Sequence, residues 1–299
     1  MNLTNIRGVK ELLNKYNTVT KKSFGQNFLI SPSIPVKIAA ASLNATTTET
    51  EANNEAGVIE IGAGVGTLSQ ELCKLYKKVV AVELDRTLEP ILNEVFENTH
   101  NFKVIFADIL KTDIKSLTES EFNGYKQINI CANLPYYITT PTITYLLESG
   151  VKFNTITVMI QKEVASRLCA EAGSEDYGSI TLFVNYYGEI KKLFNVPPSN
   201  FYPPPKVTSS VIQILPYERP RATPEDEKLM FKVIRAAFEQ RRKTLVNALA
   251  SAFGDIDKSR IAGIVEEITG NANIRGEMLN LEKFAAISNI ISRENQNKL

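Results

Sequence analysis

The stretch that decides the fold is Val58-Ile59-Glu60-Ile61-Gly62-Ala63-Gly64-Val65-Gly66-Thr67, in which a short apolar run leads into a glycine turn and then a helical pattern. Glycine tolerates positive φ and lets a ligand approach the backbone closely. A dinucleotide site normally spaces its glycines as G-x-G-x-x-G, whereas here the third glycine is Gly66 and Thr67 takes the last position. A tight turn with no ligand is the simpler alternative.

Acidic residues follow the next two predicted strands at the same relative place. Glu83 ends one strand, 21 residues after Gly62, and Asp108 follows the other. A carboxylate at Glu83 can accept hydrogen bonds from both ribose hydroxyls of an adenosyl ligand, and Asp108 can accept from an adenine amino group. The structural alternatives are a helix N-terminal acid for Glu83, a place that Asp85 already fills, and an Asx-turn for Asp108. Together these strand ends indicate S-adenosylmethionine, which has no pyrophosphate and so suits the altered glycine spacing.

The surrounding sequence alternates between strand and helix patterns. Strands are predicted at 58–61, 79–83, 103–106, 128–132 and 155–160, and helices at 67–76, 86–97, 142–148 and 162–172. Strands this apolar, separated by helices, predict a parallel sheet covered on both faces. Two β-rich runs follow at 179–187 and 207–215, and we expect them to close the sheet as an antiparallel pair. The expected fold class is therefore α/β, with a Rossmann-like, mostly parallel sheet and an antiparallel closing strand.

The two ends of the chain differ from this central pattern. A helix at 5–16 precedes a basic loop, and Ser31-Pro32 are expected to open a second helix as N-cap and first helical residue. Residues 44–56 are polar and are expected to form a surface loop. After a linker at 216–220, helices are predicted at 225–240, 243–253, 258–269 and 280–289. We therefore expect a larger α/β domain at 1–217, including an N-terminal arm, and a small helical domain at 218–299.

The composition restricts the chemistry. Of 299 residues, 43% are hydrophobic and 22% charged, and the net charge of +1 does not by itself indicate a nucleic-acid partner. Three scattered cysteines and the single histidine, His100, argue against a disulfide framework and against a metal site. A Ser-His-Asp triad built on His100 stays open, although no G-x-S-x-G motif accompanies it. With no signal-peptide pattern and no apolar run of ~20 residues, we expect a cytoplasmic protein.

A second motif, Asn133-Leu134-Pro135-Tyr136, follows the predicted strand at 128–132. The carboxyl ends of parallel strands are where open α/β sheets bind ligands. Asparagine offers an acceptor oxygen, the Leu-Pro backbone offers a carbonyl, and tyrosine offers a flat face. The motif could thus hold the exocyclic amino group of a flat base, and a strand-to-helix turn containing proline is the simpler alternative.

Five motifs occur along the chain in an order that resembles a known family. They are Gly25-Gln26-Asn27-Phe28-Leu29, Glu60-Ile61-Gly62-Ala63-Gly64, Asn133-Leu134-Pro135-Tyr136, Phe201-Tyr202-Pro203-Pro204-Pro205-Lys206-Val207 and Phe238-Glu239-Gln240-Arg241-Arg242-Lys243-Thr244-Leu245. The combination covers nearly the whole chain and resembles the small-subunit rRNA adenine N6-dimethyltransferase family. Ala63 stands where this family often has proline, and the loop at 44–56 is longer than expected.

The resemblance implies that the domain at 1–217 is a catalytic, S-adenosylmethionine-dependent methyltransferase domain and that the helical domain at 218–299 binds RNA. It also implies roles for particular residues and a partner. Cofactor contacts are implied for Asn27, Leu29, Gly62, Gly64, Glu83, Asp108 and Asn133. The catalytic set is Asn133, Leu134, Pro135, Tyr136 and Phe201, with Tyr136 and Phe201 as stacking faces. Core packing under the proline-rich loop is the alternative for Phe201. The partner is small-subunit rRNA in an immature subunit, with no metal, no membrane and a monomeric protein expected.

RNA contacts are expected in two basic segments. The first is the N-terminal arm, with Arg7, Lys10, Lys15, Lys21 and Lys22, and the second lies around Arg241-Arg242-Lys243, with Lys232 and Arg235 nearby. Such clusters can track phosphates, and a solvated helix face is the alternative. The residues expected to bind RNA are Lys21, Lys22, Arg241, Arg242 and Lys243.

Three other functions stay open at this point. One is a large-subunit rRNA adenine methyltransferase of the antibiotic-resistance type, against which Gly25 and the run from Glu239 to Leu245 argue. Another is an NAD-dependent dehydrogenase that uses the same glycine turn, against which Thr67 and the Asn-Leu-Pro-Tyr motif argue. The last is a ribosome-assembly factor without catalytic activity.

Overall fold

The computed structural model of the chain describes residues 3–21, 24–43 and 54–296. Most of the predicted polar loop at 44–56, and Lys22 in the arm, lie outside the described residues. The chain divides into two compact units, one made of Met1–Ala165 with Ile190–Pro216 and the other of Ser166–Glu189 with Tyr217–Leu299. The division after Pro216 lies one residue from the predicted domain boundary, but the segment 166–189 groups with the second unit, which the sequence did not predict.

The strands of the described residues belong to the first unit, apart from the start of one of them. They are β1 (Phe28–Leu29), β2 (Ala56–Ile61), β3 (Lys78–Glu83), β4 (Phe102–Phe106), β5 (Gln127–Asn133), β6 (Thr155–Gln161), β7 (Gly188–Val196), β8 (Phe201–Tyr202) and β9 (Ser209–Pro216). Seven of them form one sheet in the order β4-β3-β2-β5-β6-β9-β7. The pairs from β4 to β6 are parallel, and β9 is antiparallel to β6. The predicted Rossmann-like sheet with an antiparallel closing strand is confirmed.

Helices connect the strands and make up most of the second unit. In the described part of the chain they are α1 (Ile6–Lys15), α2 (Ser33–Ala41), α3 (Thr67–Leu75), α4 (Glu89–Val95), α5 (Ile114–Glu121), α6 (Thr139–Glu148), α7 (Lys162–Leu168), α8 (Ser179–Tyr187), α9 (Glu227–Glu239), α10 (Leu245–Ala252), α11 (Lys258–Thr269) and α12 (Leu281–Gln296). The last four form the predicted helical C-terminal region.

Burial on both faces explains the apolar strands. All six residues of β2 are buried, as expected for a parallel strand between two helical layers. On one face Val58 packs in a cluster with Ile38 of α2 and Leu72 of α3. Ala81 of β3, which is in register with Glu60 and therefore lies on the same face as Val58, packs with Leu12 of α1 and Ile91 of α4. The sheet is therefore rigid where its strands end, which is where the predicted ligand residues lie.

The prediction of a strand at 179–187 is wrong, because this segment forms helix α8. Its β-branched and aromatic residues favour a strand intrinsically, but tertiary packing overrides such a preference. Leu182 and Tyr186 are buried in the core of the second unit together with Val233 and Ile234 of α9. The Thr181 hydroxyl accepts a hydrogen bond from the Gly178 N–H at 3.1 Å, which helps to start the helix. The sheet position expected for this segment is taken by β7 instead.

Smaller differences concern helix ends. Helix α2 begins at Ser33 with Pro32 at the cap position and no side-chain cap, so Ser31 does not cap the helix as predicted. Helix α5 was not predicted, although Asp113 caps it by accepting hydrogen bonds from the N–H groups of Lys115 and Ser116. Helix α12 extends well beyond the predicted end at 289.

Candidate active site

A cavity of about 250 Å³ opens at the carboxyl ends of β2, β3, β4 and β5 in the first unit. Its walls come from the arm at 24–29, the glycine turn, the ends of β3 and β4, and the segment from Asn133 to Ile138. The residues predicted to bind the cofactor all line it: Asn27, Leu29, Gly62, Gly64, Glu83, Asp108 and Asn133. The topology of the sheet thus brings together side chains that lie as much as 106 residues apart in sequence.

The structure explains why glycine is required at positions 62 and 66 of the turn. Gly62, Gly64 and Gly66 all have positive φ, at 80°, 57° and 90°. A Cβ on Gly62 would meet nothing within 4 Å, so the space beside it is open to a ligand, whereas a Cβ on Gly66 would lie 2.6 Å from the Phe96 ring. The absence of a side chain at Gly62 therefore leaves this part of the cavity open, and Gly66 permits close packing of α3 against α4.

Glu83 is fixed by the backbone around it. One carboxylate oxygen accepts from the Gly64 N–H at 2.9 Å, and the other accepts from the Asp85 N–H at 2.8 Å. Burial raises the pKa of Glu83, and these backbone donors oppose the increase. Each carboxylate oxygen accepts two or more hydrogen bonds, so both retain capacity for donors from a ligand.

Asp108 forms an Asx-turn, which was the alternative to a ligand-binding role. One carboxylate oxygen accepts from the Leu110 N–H at 3.0 Å, while the other lies 3.8 Å from the Lys111 ammonium group. The side chain nevertheless lines the cavity. The turn orients the carboxylate, so a ligand role and a turn role are compatible here.

Three large side chains that are unusually exposed line the same cavity, and sequence patterns did not identify them. Leu84, Leu110 and Tyr137 expose 44%, 36% and 56% of their surface, and all three belong to the cavity wall. Leu84 directly follows Glu83, and Leu110 lies two residues after Asp108. An apolar side chain next to a strand-end acid was the available signal, and the arrangement suits a flat, apolar ring.

Asn133 is oriented by the arm. Its Nδ2 donates a hydrogen bond to the Asn27 backbone carbonyl at 3.1 Å, which leaves Oδ1 as the acceptor of the side chain on the cavity wall. The Pro135 carbonyl already accepts from the Ile138 N–H at 3.2 Å and from the Thr139 hydroxyl at 3.4 Å. Of the two backbone carbonyls proposed for this motif, Leu134 is therefore the better acceptor.

The two predicted stacking residues differ. Tyr136 lines the cavity, and its hydroxyl is hydrogen-bonded to the Ser209 hydroxyl at 2.8 Å, which fixes the ring. Phe201 is only 2% exposed and packs in the hydrophobic core with Leu29, its neighbour across the β1–β8 pair. Phe201 is not among the cavity-lining residues. The ring is buried in the core in this structure and does not present the accessible stacking face that was expected.

The cavity has an acidic wall. Its ionisable acids are Glu60, Glu83 and Asp108, and no lysine, arginine or histidine of the described residues lines it. Glu60 is fully buried, and neither of its carboxylate oxygens has a hydrogen-bond partner among the described residues. Burial raises the pKa of Glu60 to about 8, and the nearby charge of Glu83 adds to the effect. Such a wall favours a cationic ligand.

Two of the predicted RNA-binding residues, Lys21 and Arg241, contact other residues of the protein. In the second unit Arg241, Arg242 and Lys243 are all exposed, but Arg241 also donates to the backbone carbonyls of Glu175 and Tyr177 at 2.8 and 2.9 Å. In the first unit the Lys21 ammonium group is paired with Asp85 at 2.7 Å. Lys21 and Arg241 thus have structural partners, which a basic cluster in the sequence does not reveal.

Other expectations concern residues outside this cavity. His100 is exposed in a loop and does not line the cavity. Over the described ranges no group of three or more His, Cys, Asp or Glu residues is arranged to hold a metal ion. No helix in that part of the chain is long and apolar enough to cross a membrane.

Comparison with known proteins agrees with this geometry. The fold and the cavity together define a Rossmann-like methyltransferase. Residues 17–292 match the model of the ribosomal RNA adenine dimethylase family, and the chain belongs to that family.

The similar curated proteins carry a more specific name. The chain is 42% identical over 284 residues to ribosomal RNA small subunit methyltransferase A of Geobacillus sp., covering 94% of this chain and 95% of the relative. It is 43% identical over 286 residues to the protein of the same name from Lachnoclostridium phytofermentans, covering 95% and 96%.

Solved structures share the fold. A dimethyladenosine transferase from Plasmodium falciparum superimposes with a TM-score of 0.70 at 24% identity, over 91% of this chain and 98% of that one. The 23S rRNA methyltransferase ErmE superimposes with a TM-score of 0.64 at 20% identity, over 88% and 98%. At these identities the likeness describes the fold alone.

Proposed function

We propose that this chain transfers methyl groups from S-adenosylmethionine to N6 of two adjacent adenosines in a 3′-terminal hairpin of small-subunit rRNA, during small-subunit assembly. Membership of the adenine dimethylase family supports the reaction, and the curated relatives are small-subunit enzymes by name. The observation that carries the proposal is the Asn133 amide, which Asn27 fixes with its oxygen left as an acceptor beside the acidic cavity. Neither the large-subunit reaction nor a dehydrogenase is favoured.

The residues present fit S-adenosylmethionine. When bound, the cofactor supplies an electrophilic methyl group on a positively charged sulfonium. Glu83 would accept from its ribose hydroxyls and Asp108 from its adenine amino group, while Leu84 and Leu110 would contact the adenine ring. Asn27 and Leu29 would contact the methionine part, and Gly62 and Gly64 would contribute backbone. The carboxylates of Glu83 and Asp108 in the wall favour this cation over the neutral thioether product, which helps product release.

The acceptor side explains how an amino group with a delocalised lone pair becomes a nucleophile. The Asn133 Oδ1 and the Leu134 carbonyl would accept hydrogen bonds from the two N6–H groups. These bonds favour a tetrahedral nitrogen whose lone pair points at the methyl group. Positioning of this kind can be worth about 7–11 kcal/mol of the barrier. No histidine is required, in agreement with a chain that has only one.

The target base has to leave its stack to reach the cavity. Tyr136 is proposed to stack on it, a contact worth roughly 1–3 kcal/mol per base. The Ser209 hydroxyl holds this ring in place, which lowers the entropy cost when the base binds. Phe201 would have to leave the core to take part.

The exposed pair Arg242 and Lys243 is proposed to contact rRNA phosphates. Arg241 is proposed to support this segment by binding the carbonyls of Glu175 and Tyr177. In the arm, Lys22 stays a proposed contact, whereas the pairing of Lys21 with Asp85 favours a structural role.

Incubation of the protein with radiolabelled S-adenosylmethionine and purified small or large ribosomal subunits that lack the modification tests the function. We expect label in the small subunit alone, mapped by primer extension and mass spectrometry to two adjacent N6-dimethylated adenosines near the 3′ end. Label in large-subunit RNA, or no label in either subunit, would refute the proposal.

A further inference from the structure

A buried carboxylate joins the N-terminal arm to the end of β3. The Asp85 side chain is 1% exposed, and its Oδ1 lies 2.7 Å from the Lys21 ammonium group. Thr87 donates to the same oxygen from its hydroxyl at 2.6 Å and from its N–H at 3.1 Å. The Gln26 Nε2 donates to Oδ2 at 2.8 Å. We call Lys21, Gln26, Asp85 and Thr87 the Asp85 clasp.

Gln26 uses both ends of its amide in this clasp. The amide nitrogen of Gln26 donates to Asp85, and its Oε1 accepts from the Lys21 N–H at 2.7 Å, so Gln26 contacts both Lys21 and Asp85. The next residue, Asn27, presents its carbonyl to Asn133. Gly25, with φ of 60°, sits where a Cβ would touch Pro135 and the Tyr137 ring at 3.5 and 3.6 Å. The clasp therefore determines where the arm meets the Asn133–Tyr137 segment.

The clasp also contacts the other side of the cavity. The Asp85 N–H donates to Glu83, the proposed ribose acceptor. Burial disfavours the Asp85 carboxylate, but the hydrogen bonds from Lys21, Thr87 and Gln26 outweigh it and lower its pKa. Hydrogen bonds to an ionised acceptor are stronger than those between neutral groups, so the donors around Asp85 are held firmly. One side chain thus holds both the arm and the strand end that face each other across the cavity.

We propose that Gln26 and Asp85 are positioning residues, which close the arm on the cavity and, through the Asn27 carbonyl, hold the Asn133 amide in its acceptor orientation. This inference rests on the proposed function, because it assigns Asn133 to the reacting base. Neither residue is expected to touch the substrate RNA, and their effect reaches the reaction through the arm.

Reversing one hydrogen bond tests the proposal. In the Gln26→Glu variant two carboxylates face each other, and in Asp85→Asn two amide NH2 groups do, so each single variant opens the clasp. In the double variant the new amide at position 85 donates to the new carboxylate at position 26, and the net charge equals that of the wild type. We expect each single variant to show about a 10- to 100-fold decrease in S-adenosylmethionine affinity and in single-turnover methyl transfer, and the double variant to regain most of both.

The matched control is Glu94→Gln. Glu94 pairs with Lys15 at 2.7 Å and so also joins the N-terminal segment to the first unit, but away from the cavity wall. We expect this variant to keep both affinity and rate. A double variant no better than Gln26→Glu, or a Gln26→Glu variant equal to the wild type, would overturn the proposal.

Hydrogen exchange locates the effect. In the Gln26→Glu variant we expect faster exchange at 24–29 with the sheet unchanged, whereas faster exchange throughout β2, β3 and β5 would contradict a positioning role. Cofactor affinity and exchange are measured without RNA. They therefore test the clasp even if the wild type fails to methylate small subunits, which would refute the proposed function separately.

Discussion

At the scale of single residues, the Asn133 side chain uses its NH2 group and its oxygen for different contacts. Its NH2 group is held by the Asn27 carbonyl at 3.1 Å, and its oxygen remains for the target amino group. Because both ends of the amide are specified, neither a carboxylate nor an apolar side chain of similar size can replace it.

Asn133→Ala should reduce methyl transfer by about 100-fold or more, as expected when a preorganised polar group is removed from an active site. Cofactor affinity, measured by calorimetry, should fall much less, because the ribose and adenine contacts remain. Asn98→Ala, in an exposed loop, serves as the control. Full activity in Asn133→Ala would remove the proposed N6 contact.

The buried carboxyl group of Glu60 should make the stability of the protein depend on pH. Its pKa is raised from 4.5 to about 8 in the folded chain, so between these values the folded protein binds a proton that the unfolded chain has released. Stability from this group is therefore complete below about pH 4.5 and is lost as pH rises towards 8. Denaturant titrations should show the free energy of unfolding of the wild type falling, relative to Glu60→Gln, across this range. A constant difference would show that Glu60 does not titrate there.

At the scale of elements, the segment between α9 and α10 carries three basic residues, one of which is also hydrogen-bonded to the protein. Arg241, Arg242 and Lys243 are all exposed, but the Arg241 side chain also donates to two carbonyls of the segment before α8. A run of three basic residues thus contains one support and two candidate phosphate contacts.

The Arg242→Gln/Lys243→Gln variant should weaken RNA binding and flatten its salt dependence. The slope of log K against log salt should decrease by roughly 0.7–0.9 for each phosphate that the variant no longer neutralises. Lys258→Gln, an exposed change in the same unit, is the control for general charge. An unchanged slope in the double variant would place the RNA surface elsewhere.

At the scale of the whole molecule, the cofactor cavity joins four strand ends, so ligand binding should stabilise the first unit as a body. S-adenosylmethionine at about 100 times its Kd should stabilise the wild type by about 2.7 kcal/mol. Glu83→Gln should lose most of this increase at the same concentration, because hydrogen bonds to a charged acceptor are worth about 1.5–3 kcal/mol. Differential scanning calorimetry measures both, with Asp113→Asn, a change at an exposed helix cap, as the control. An equal increase in Glu83→Gln would exclude Glu83 from the ribose contact.

Much of the fold and of the cavity could be predicted from sequence because the decisive signals are local. The glycine turn, the acids that follow β3 and β4, and the Asn-Leu-Pro-Tyr motif after β5 each mark a strand end. Parallel pairing then brings those ends to one edge of the sheet. Leu84 and Leu110 carried the same kind of signal and could have been predicted.

The sequence by itself determined the parallel sheet, the cavity at its carboxyl edge and the residues on the ends of its strands, because strand periodicity and turn chemistry act over a few residues. Only the tertiary structure decided that Ser179–Tyr187 is a helix, that Phe201 is buried, and that Lys21 and Arg241 are engaged. The physical reason is that packing and hydrogen bonding depend on partners far away in sequence, such as Asp85 for Lys21 and Asn27 for Asn133, which no local pattern specifies.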